Sequence, residues 1–257
     1  MGVDFAAVTE EFVVDDFVAG AVAGRGRWVV TANVDHLRRY AIEEETREII
    51  AQADIVVADG MPIVFASRLA GMPLPERIAG SSLVRPVCRR AADCGATVFL
   101  LGGEPGVAER AREVLEAEAP GLRVVGTSCP PFGFEHDEEE LRRIERELAA
   151  ARPDIVFLAL SFPKTDRLIQ RLRAHMPSAS YMGIGIALSF VSGTSARAPA
   201  WMRRLGLEWL HRLLCEPGRL WRRYLLLGLP FAARLALAAL VVRAQRRLGG
   251  PWFQTLA

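Results

Sequence analysis

ADIVVADGMPIVFASRLAGMPLPERIAG, residues 53–80, is the stretch that decides the fold. Its β-branched apolar run at 54–58 is too short for a helix and lies between turn-forming residues. Such a run predicts a buried strand of a parallel sheet.

The carboxylate of Asp59 is expected at the carboxyl end of this strand, which is the edge where open α/β sheets bind ligands. Arg77 and Gly80 follow in a predicted loop that can fold back over the same edge. Asp59 could then serve as a general base beside an anion-binding group. The alternative is that Asp59 only starts a turn or caps the next helix.

Strands and helices are predicted to alternate over residues 1–195, which we assign to one domain. The predicted strands are 27–33, 54–58, 97–103, 122–126, 154–160 and 181–187. The predicted helices are 35–52, 81–94, 104–118 and 137–150. Because each strand leads into a turn and then a helix, the pattern predicts a parallel α/β sheet flanked by helices. Residues 196–257 are predicted to form a separate helical appendage.

The appendage is basic and apolar. Residues 207–248 have a largely helical pattern, broken near Pro217 and again at 228–230. The apolar run at 224–242 contains a proline and a central Arg234, which is costly in lipid. We therefore expect an amphipathic segment that lies on an anionic membrane surface. A helix packed on a partner subunit and a true membrane span are the alternatives.

Composition narrows the class of protein. The chain has 257 residues, a formal net charge of +2 and four cysteines. The cysteines form no C-x-x-C pair, which argues against structural zinc and a disulfide framework. The N-terminus lacks a basic-then-apolar signal pattern, so a cytosolic enzyme is expected. The appendage arginines alternate with Leu, Ala and Val rather than with aromatic residues, so no nucleic-acid partner is expected.

Glycine turns follow two of the predicted strands. Leu101–Gly106 lies between a strand and a helix, where backbone amides could meet a phosphate, and Gly183-x-Gly185 is a second turn. Neither is a dinucleotide fingerprint or a P-loop, and tight packing would explain either turn alone. Polar residues are expected at the same edge, namely Thr31, Asn33, Asp59 and Lys164. The combination favours a nucleotide or nucleotide-sugar pocket.

Two common arrangements are absent from the sequence. There is no Gly-x-Ser-x-Gly elbow, and the histidines are scattered, which argues against Ser/His/Asp hydrolysis. There is also no Asp-x-Asp pair to hold a divalent metal. A diphosphate would therefore be met by arginines and helix N-termini.

Several motifs occur together along the chain. They are Thr31-Ala-Asn33, Ala58-Asp-Gly60, Glu76–Gly80, Phe99–Gly106, Pro153-Asp-Ile155, Pro163-Lys164 and Gly183-Ile-Gly185. The most specific block is Arg197-Ala-Pro199 followed by Gly206–Arg212 and Glu216-Pro217. With these motifs the chain resembles the WecG/TagA/CpsF family of bacterial glycosyltransferases over nearly its whole length.

The resemblance implies a Rossmann-like sheet and an inverting transfer without a metal or other cofactor. The donor would be a UDP-sugar carrying N-acetylmannosamine or an oxidised relative, and the acceptor a polyprenyl-diphosphate-linked saccharide. The enzyme would work peripherally at the cytoplasmic membrane face, in cell-envelope or exopolysaccharide assembly. Asp59 matches the family's proposed base and Thr31 its characteristic threonine. Arg212, Arg219 and Arg222 would face the diphosphates.

We assign the remaining substrate contacts to residues of the same motifs. These are Asn33, Arg77, Gly102, Gly103, Pro105, Lys164, Gly185 and Ser189. The chain departs from the family pattern at Thr165, Asp166, Leu168, Ile186 and Ser189, which leaves the donor sugar open. We predict an active transferase because Asp59 and Thr31 are retained. The alternative is an inactive relative that binds nucleotide sugar or lipid carrier as an assembly factor; a homo-oligomer is left open.

Overall fold

The protein is described by a computed structural model over residues 3–247. Its strands are β1 (Trp28–Ala32), β2 (Ile55–Ala58), β3 (Thr97–Gly102), β4 (Arg123–Ser128), β5 (Ile155–Ala159) and β6 (Ser180–Gly183). They form one six-stranded sheet in the order β2-β1-β6-β5-β3-β4, and every pairing is parallel. The predicted parallel α/β fold is confirmed.

Helices cover both faces of the sheet. They are α1 (Glu10–Val22), α2 (Val34–Ile42), α3 (Glu44–Ala51), α4 (Met61–Leu69), α5 (Gly80–Cys94), α6 (Val107–Glu118), α7 (Glu138–Ala151), α8 (Lys164–His175) and α9 (Ala187–Val191). Alternate strand residues point to opposite faces. Val29 and Val57 pack with α1, α5, α6 and α9, whereas Trp28 and Val30 pack with α3, α7 and α8. Burial on both faces explains why the strands are apolar throughout.

Some predicted boundaries are wrong. The helix predicted over 35–52 is two helices, because Glu43 adopts an extended conformation between α2 and α3. Lys164 begins α8, a helix that was not predicted, and the strand predicted to reach residue 187 ends at Gly183. Helix α4 was not predicted. Its MPIVFASRL sequence is largely apolar, since the helix lies between β2 and the appendage.

The appendage packs against the sheet domain. Its helices are α10 (Ala200–Arg204), α11 (Glu208–Cys215), α12 (Pro217–Trp221), a π-helical segment (Arg222–Gly228) and α13 (Leu229–Arg247). Phe231 packs with Ile63 of α4, and Ala239 packs with Ala66 and Ala70. The predicted break before Pro217 is confirmed. Residues 248–257, at the end of the predicted appendage, lie outside the described residues.

The break predicted at 228–230 is wrong. π-Helical hydrogen bonding carries the chain through, with the Leu229 N–H donating to the Tyr224 carbonyl. Pro230, which has no N–H to donate, directly follows this π-helical segment inside the continuous helix. The resulting helix, Pro217–Arg247, is long and apolar enough to cross a membrane by length and composition; its most apolar window has a mean hydropathy of 2.2 and is 11% buried.

Candidate active site

A cavity of about 840 Å³ lies at the carboxyl ends of β1, β2, β5 and β6, and the appendage forms its opposite wall. This edge of a parallel sheet is the usual place for a ligand site, because successive βα turns converge there. Among the residues predicted for the site, those that line the cavity are Thr31, Asn33, Asp59, Arg77, Gly103, Gly185, Ser189, Arg212 and Arg219. The structure therefore brings most of the predicted site together.

Asp59 directly follows β2, and its N–H donates to the Ala32 carbonyl at 2.9 Å. Its side chain does not cap α4, whose N-cap is Gly60 and which has no side-chain cap hydrogen bond. The side chain is 28% exposed, at the cavity. Burial raises the pKa of Asp59 to about 6, against an opposing effect of Arg77. A carboxylate with this pKa is ionised at neutral pH and basic enough to take a proton.

Arg77 lies between two carboxylates. Its Nη1 is 4.0 Å from Oδ1 of Asp59 and donates a hydrogen bond of 3.1 Å to Oε2 of Glu208. Arg197 Nε is 3.5 Å from Oε1 of Glu208, and its Nη2 donates to Ser82 Oγ at 2.8 Å. Since Arg197 and Glu208 belong to the appendage, this network ties the appendage to the start of α5.

Thr31 lies beside the tightest backbone approach in the site. A Cβ on Gly80 would come within 3.1 Å of Thr31 Oγ1 and 2.9 Å of the Gly183 carbonyl oxygen. Only glycine fits there, so α5 begins directly beside the ends of β1 and β6. Asn33 caps α2, accepting hydrogen bonds from the N–H groups of Asp35 and His36 at 3.0 and 3.3 Å. Its side-chain oxygen therefore has a structural role in addition to its place in the cavity wall.

A second polar group occupies the other side of the cavity. Asp166 in the first turn of α8 is 6% exposed, and burial raises its pKa to about 7. Thr165 is 3% exposed, and its hydroxyl has no hydrogen-bond partner in the part of the chain that is described. Both residues line the cavity and are positions where the chain departs from the family pattern. They are therefore available to contact a bound sugar or nucleotide.

His36 also lines the cavity and was not among the predicted site residues. Its ring lies 4.3 Å from that of Phe162, and its Nδ1 accepts from the Asn33 N–H at 3.4 Å. Burial, followed by the charge of Arg223, lowers the pKa of His36 to about 4. His36 is therefore neutral at physiological pH, and its Nε2 carries the proton.

The glycine turn after β3 reaches the cavity only in part. Gly103 lines the cavity, but Gly102 is packed so closely that a Cβ would lie 2.7 Å from the Ala159 carbonyl oxygen. Pro105 is exposed outside the lining. Lys164 also lies outside it, paired with Glu135. Direct substrate contacts by Gly102, Pro105 and Lys164 are therefore not supported by the geometry.

The appendage arginines differ in the direction they face. Arg212 and Arg219 line the cavity, and Nε of Arg212 is buried without a hydrogen-bond partner within residues 3–247. Arg222 is exposed and outside the lining. Arg223 lines the cavity instead and lies 3.3 Å from Asp35. The arginine in the cavity wall is thus one residue further along than predicted; Arg223 lies four residues after Arg219 and therefore on the same side of the helix.

No group of three His, Cys, Asp or Glu side chains within residues 3–247 is arranged to hold a metal ion. The site contains the Asp59 carboxylate with its raised pKa, the uncharged polar side chains of Thr165 and His36, and several guanidinium groups. Independence from metals stays a prediction.

Comparison with known proteins agrees with this geometry. The profile described as the glycosyl transferase WecG/TagA/CpsF family matches residues 1–246. An N-acetylglucosaminyldiphosphoundecaprenol N-acetyl-beta-D-mannosaminyltransferase of Bacillus spizizenii is 33% identical over 201 residues, covering 78% of this chain and 76% of the relative. A Bacillus subtilis protein of the same name is 32% identical over 178 residues, covering 69% of this chain and 67% of the relative.

The protein is therefore a glycosyltransferase. It belongs to the WecG/TagA/CpsF family, as the sequence motifs predicted. Family and relatives point to the biosynthesis of teichoic acids and other cell-wall polysaccharides.

Proposed function

We propose that this protein transfers an N-acetylmannosamine-type sugar, with inversion, from a UDP-sugar to a polyprenyl-diphosphate-linked saccharide. The relatives named above act on a diphosphoundecaprenol carrying N-acetylglucosamine, which makes that compound the first acceptor to test. The observation that carries the proposal is Asp59, a carboxylate with its pKa raised to about 6 in a cavity that also contains arginines.

Asp59 is the proposed base. The acceptor hydroxyl oxygen attacks the anomeric carbon while its proton passes to the carboxylate of Asp59. The bond from the anomeric carbon to the diphosphate oxygen breaks, and UDP leaves with the bonding electrons. Arg77, Arg212, Arg219 and Arg223 lie in the same cavity wall and are suited to stabilise diphosphate charge. Thr31 and Asn33 are proposed to position substrate beside the base.

The appendage is proposed to hold the enzyme peripherally on the cytoplasmic face of the membrane. One side of α13 packs on α4, so part of this helix is held against the sheet domain. Its other side exposes large apolar residues, namely Leu229, Leu237, Leu240 and Val241. Arginines at both ends of the segment would attract anionic headgroups. This arrangement favours lying on the membrane over crossing it.

The transferase proposal is tested by UDP release from a panel of UDP-sugars, with polyprenyl-diphosphate N-acetylglucosamine as acceptor. We expect acceptor-dependent release from UDP-N-acetylmannosamine or its oxidised form, unchanged by EDTA. UDP binding without turnover of any donor would favour the alternative, an inactive relative that acts as an assembly factor. Loss of activity in EDTA would overturn metal independence but not transfer.

Membrane attachment is tested by sedimentation with anionic vesicles. In the test variant, the exposed Leu237 and Leu240 of α13 are both replaced by Glu. We expect binding to anionic vesicles to fall and activity on a short-chain soluble acceptor to stay. A control variant replaces the exposed Phe12 of α1, a helix that packs on α5, by Glu. Equal loss of vesicle binding in both variants would contradict attachment through α13.

A further inference from the structure

Glu208 joins the appendage to the sheet domain through an ion pair with Arg77. It begins α11 and is 9% exposed, and both of its carboxylate oxygens are used. Oε2 accepts from Arg77 Nη1 at 3.1 Å, and Oε1 lies 3.5 Å from Arg197 Nε. A nearly buried carboxylate held by two guanidinium groups has a fixed position.

Arg77 lies within reach of two carboxylates, those of Glu208 and Asp59. It donates a hydrogen bond to Glu208, whereas its distance to Asp59 is 4.0 Å, beyond hydrogen-bonding range. A direct hydrogen bond from Arg77 would lower the pKa of Asp59, because an adjacent cation favours the ionised carboxylate. Asp59 would then be a weaker base.

We propose that Glu208 is a positioning residue that holds Arg77 back from Asp59, so that docking of the appendage keeps the catalytic base strong. The inference rests on the proposed role of Asp59 as the base. It assigns the appendage a function inside the active site, in addition to contacts with substrate and membrane. An undocked appendage would release Arg77 to pair with Asp59 and lower its reactivity.

The charges around Asp59 are consistent with this role. Arg77, Arg212 and Arg197 each lower the pKa of Asp59, and Glu208 is the acidic neighbour that raises it. Burial contributes the largest upward shift. Replacing Glu208 by Gln should therefore lower the pKa of Asp59 for two reasons. A negative charge near Asp59 is lost, and Arg77 is no longer held away from it by a carboxylate.

The experiment is a ¹³C NMR titration of the Asp59 carboxyl in the full-length protein, with the signal assigned by its loss in Asp59→Asn. In Glu208→Gln we expect the titration midpoint to fall by about one pH unit. Glu118→Gln is the matched control, since Glu118 also binds an arginine, Arg85, at 2.7 Å on a remote surface. Its midpoint should equal that of the wild type. An unchanged midpoint in Glu208→Gln would overturn the proposal.

Kinetics separate positioning from a purely structural role. In Glu208→Gln we expect the acidic limb of the kcat/KM profile to move to lower pH, with a lower plateau. If Glu208 does not control the position of Arg77, the substitution would lower the plateau without moving the limb, which would contradict the proposal. If Glu208→Gln does not fold, Glu208→Asp is titrated instead and should shift in the same direction by a smaller amount. The NMR titration needs no turnover, so its result stands even if the transferase assignment fails.

Discussion

The two edges of the sheet use aspartate in opposite ways. At the amino edge, Asp54 accepts from the Trp28 N–H at 2.7 Å and from Arg173 at 2.9 Å. Asp154 accepts from the N–H and the hydroxyl of Thr97, both at 2.7 Å. At the carboxyl edge, Asp166 is buried and Asp59 is half-buried, and desolvation raises the pKa of each.

The difference identifies which carboxylates are structural and which are available for chemistry. At the amino edge each carboxylate satisfies a strand N–H, so its hydrogen bonds are used within the fold. At the carboxyl edge the cost of desolvating each carboxylate is not fully offset by hydrogen bonds or ion pairs. This costs stability and raises the pKa of each carboxyl toward neutral pH. Removing each carboxylate should therefore have opposite consequences for stability and for turnover.

The largest expected effect is that of Asp59→Asn. Because the amide cannot accept the proton, turnover should fall by about 10²–10⁴-fold. The melting temperature should not fall, since an amide is easier to bury than a carboxylate. UDP release and thermal unfolding of the purified variant measure the two quantities. Retained turnover would mean that another group is the base.

Asp154→Ala is the matched change at the other edge. It leaves the Thr97 N–H without its acceptor, so the free energy of unfolding should fall by about 2 kcal/mol. Turnover of the folded variant should equal that of the wild type. Urea unfolding followed by circular dichroism gives the first value. A variant that is stable but inactive would break the distinction between the edges.

Asp166 predicts how stability depends on pH. Its pKa is raised from 3.8 to about 7 in the folded protein. Between these pH values the folded protein therefore binds a proton at Asp166 that the unfolded chain does not. This stabilisation is complete below about pH 4 and is lost as the pH rises through 7. Asp166→Asn should be about 4 kcal/mol more stable than the wild type at pH 8 and similar at pH 4. Urea unfolding curves that differ equally at both pH values would contradict it.

The smallest expected effect compares two arginines of one helix. Arg219→Gln removes a cation from the cavity wall and should raise the KM for the diphosphate acceptor about fivefold. Arg222→Gln removes an exposed cation and should leave this KM unchanged while weakening binding to anionic vesicles. Steady-state kinetics with a soluble acceptor provide the comparison. Equal effects on KM would show that Arg222 also contacts substrate, as the family resemblance implied.

The sheet could be predicted because short apolar runs ending in Gly, Asp or Pro are typical of buried parallel strands. Asp59 and Thr31 were found for the same reason, since each follows or ends such a run. Glu208 could not be found this way. Its significance depends on a contact with Arg77, 131 positions earlier in the chain. No local pattern specifies that contact.

Two further cavity residues were also missed. His36 lies in α2, and what places it in the cavity is the cap formed by Asn33 together with packing on Phe162 of a distant loop. Arg222 was assigned from the family resemblance, whereas the structure places Arg223, four residues after Arg219, in the cavity wall.

The pH dependence of kcat/KM for sugar transfer by the wild-type enzyme tests the central claim most directly. If Asp59 is the base, kcat/KM should rise with unit slope through about pH 6 and reach a plateau near neutrality. The rising limb should be absent from the residual activity of Asp59→Asn. A wild-type profile that is flat from pH 5 to 8 would contradict the account.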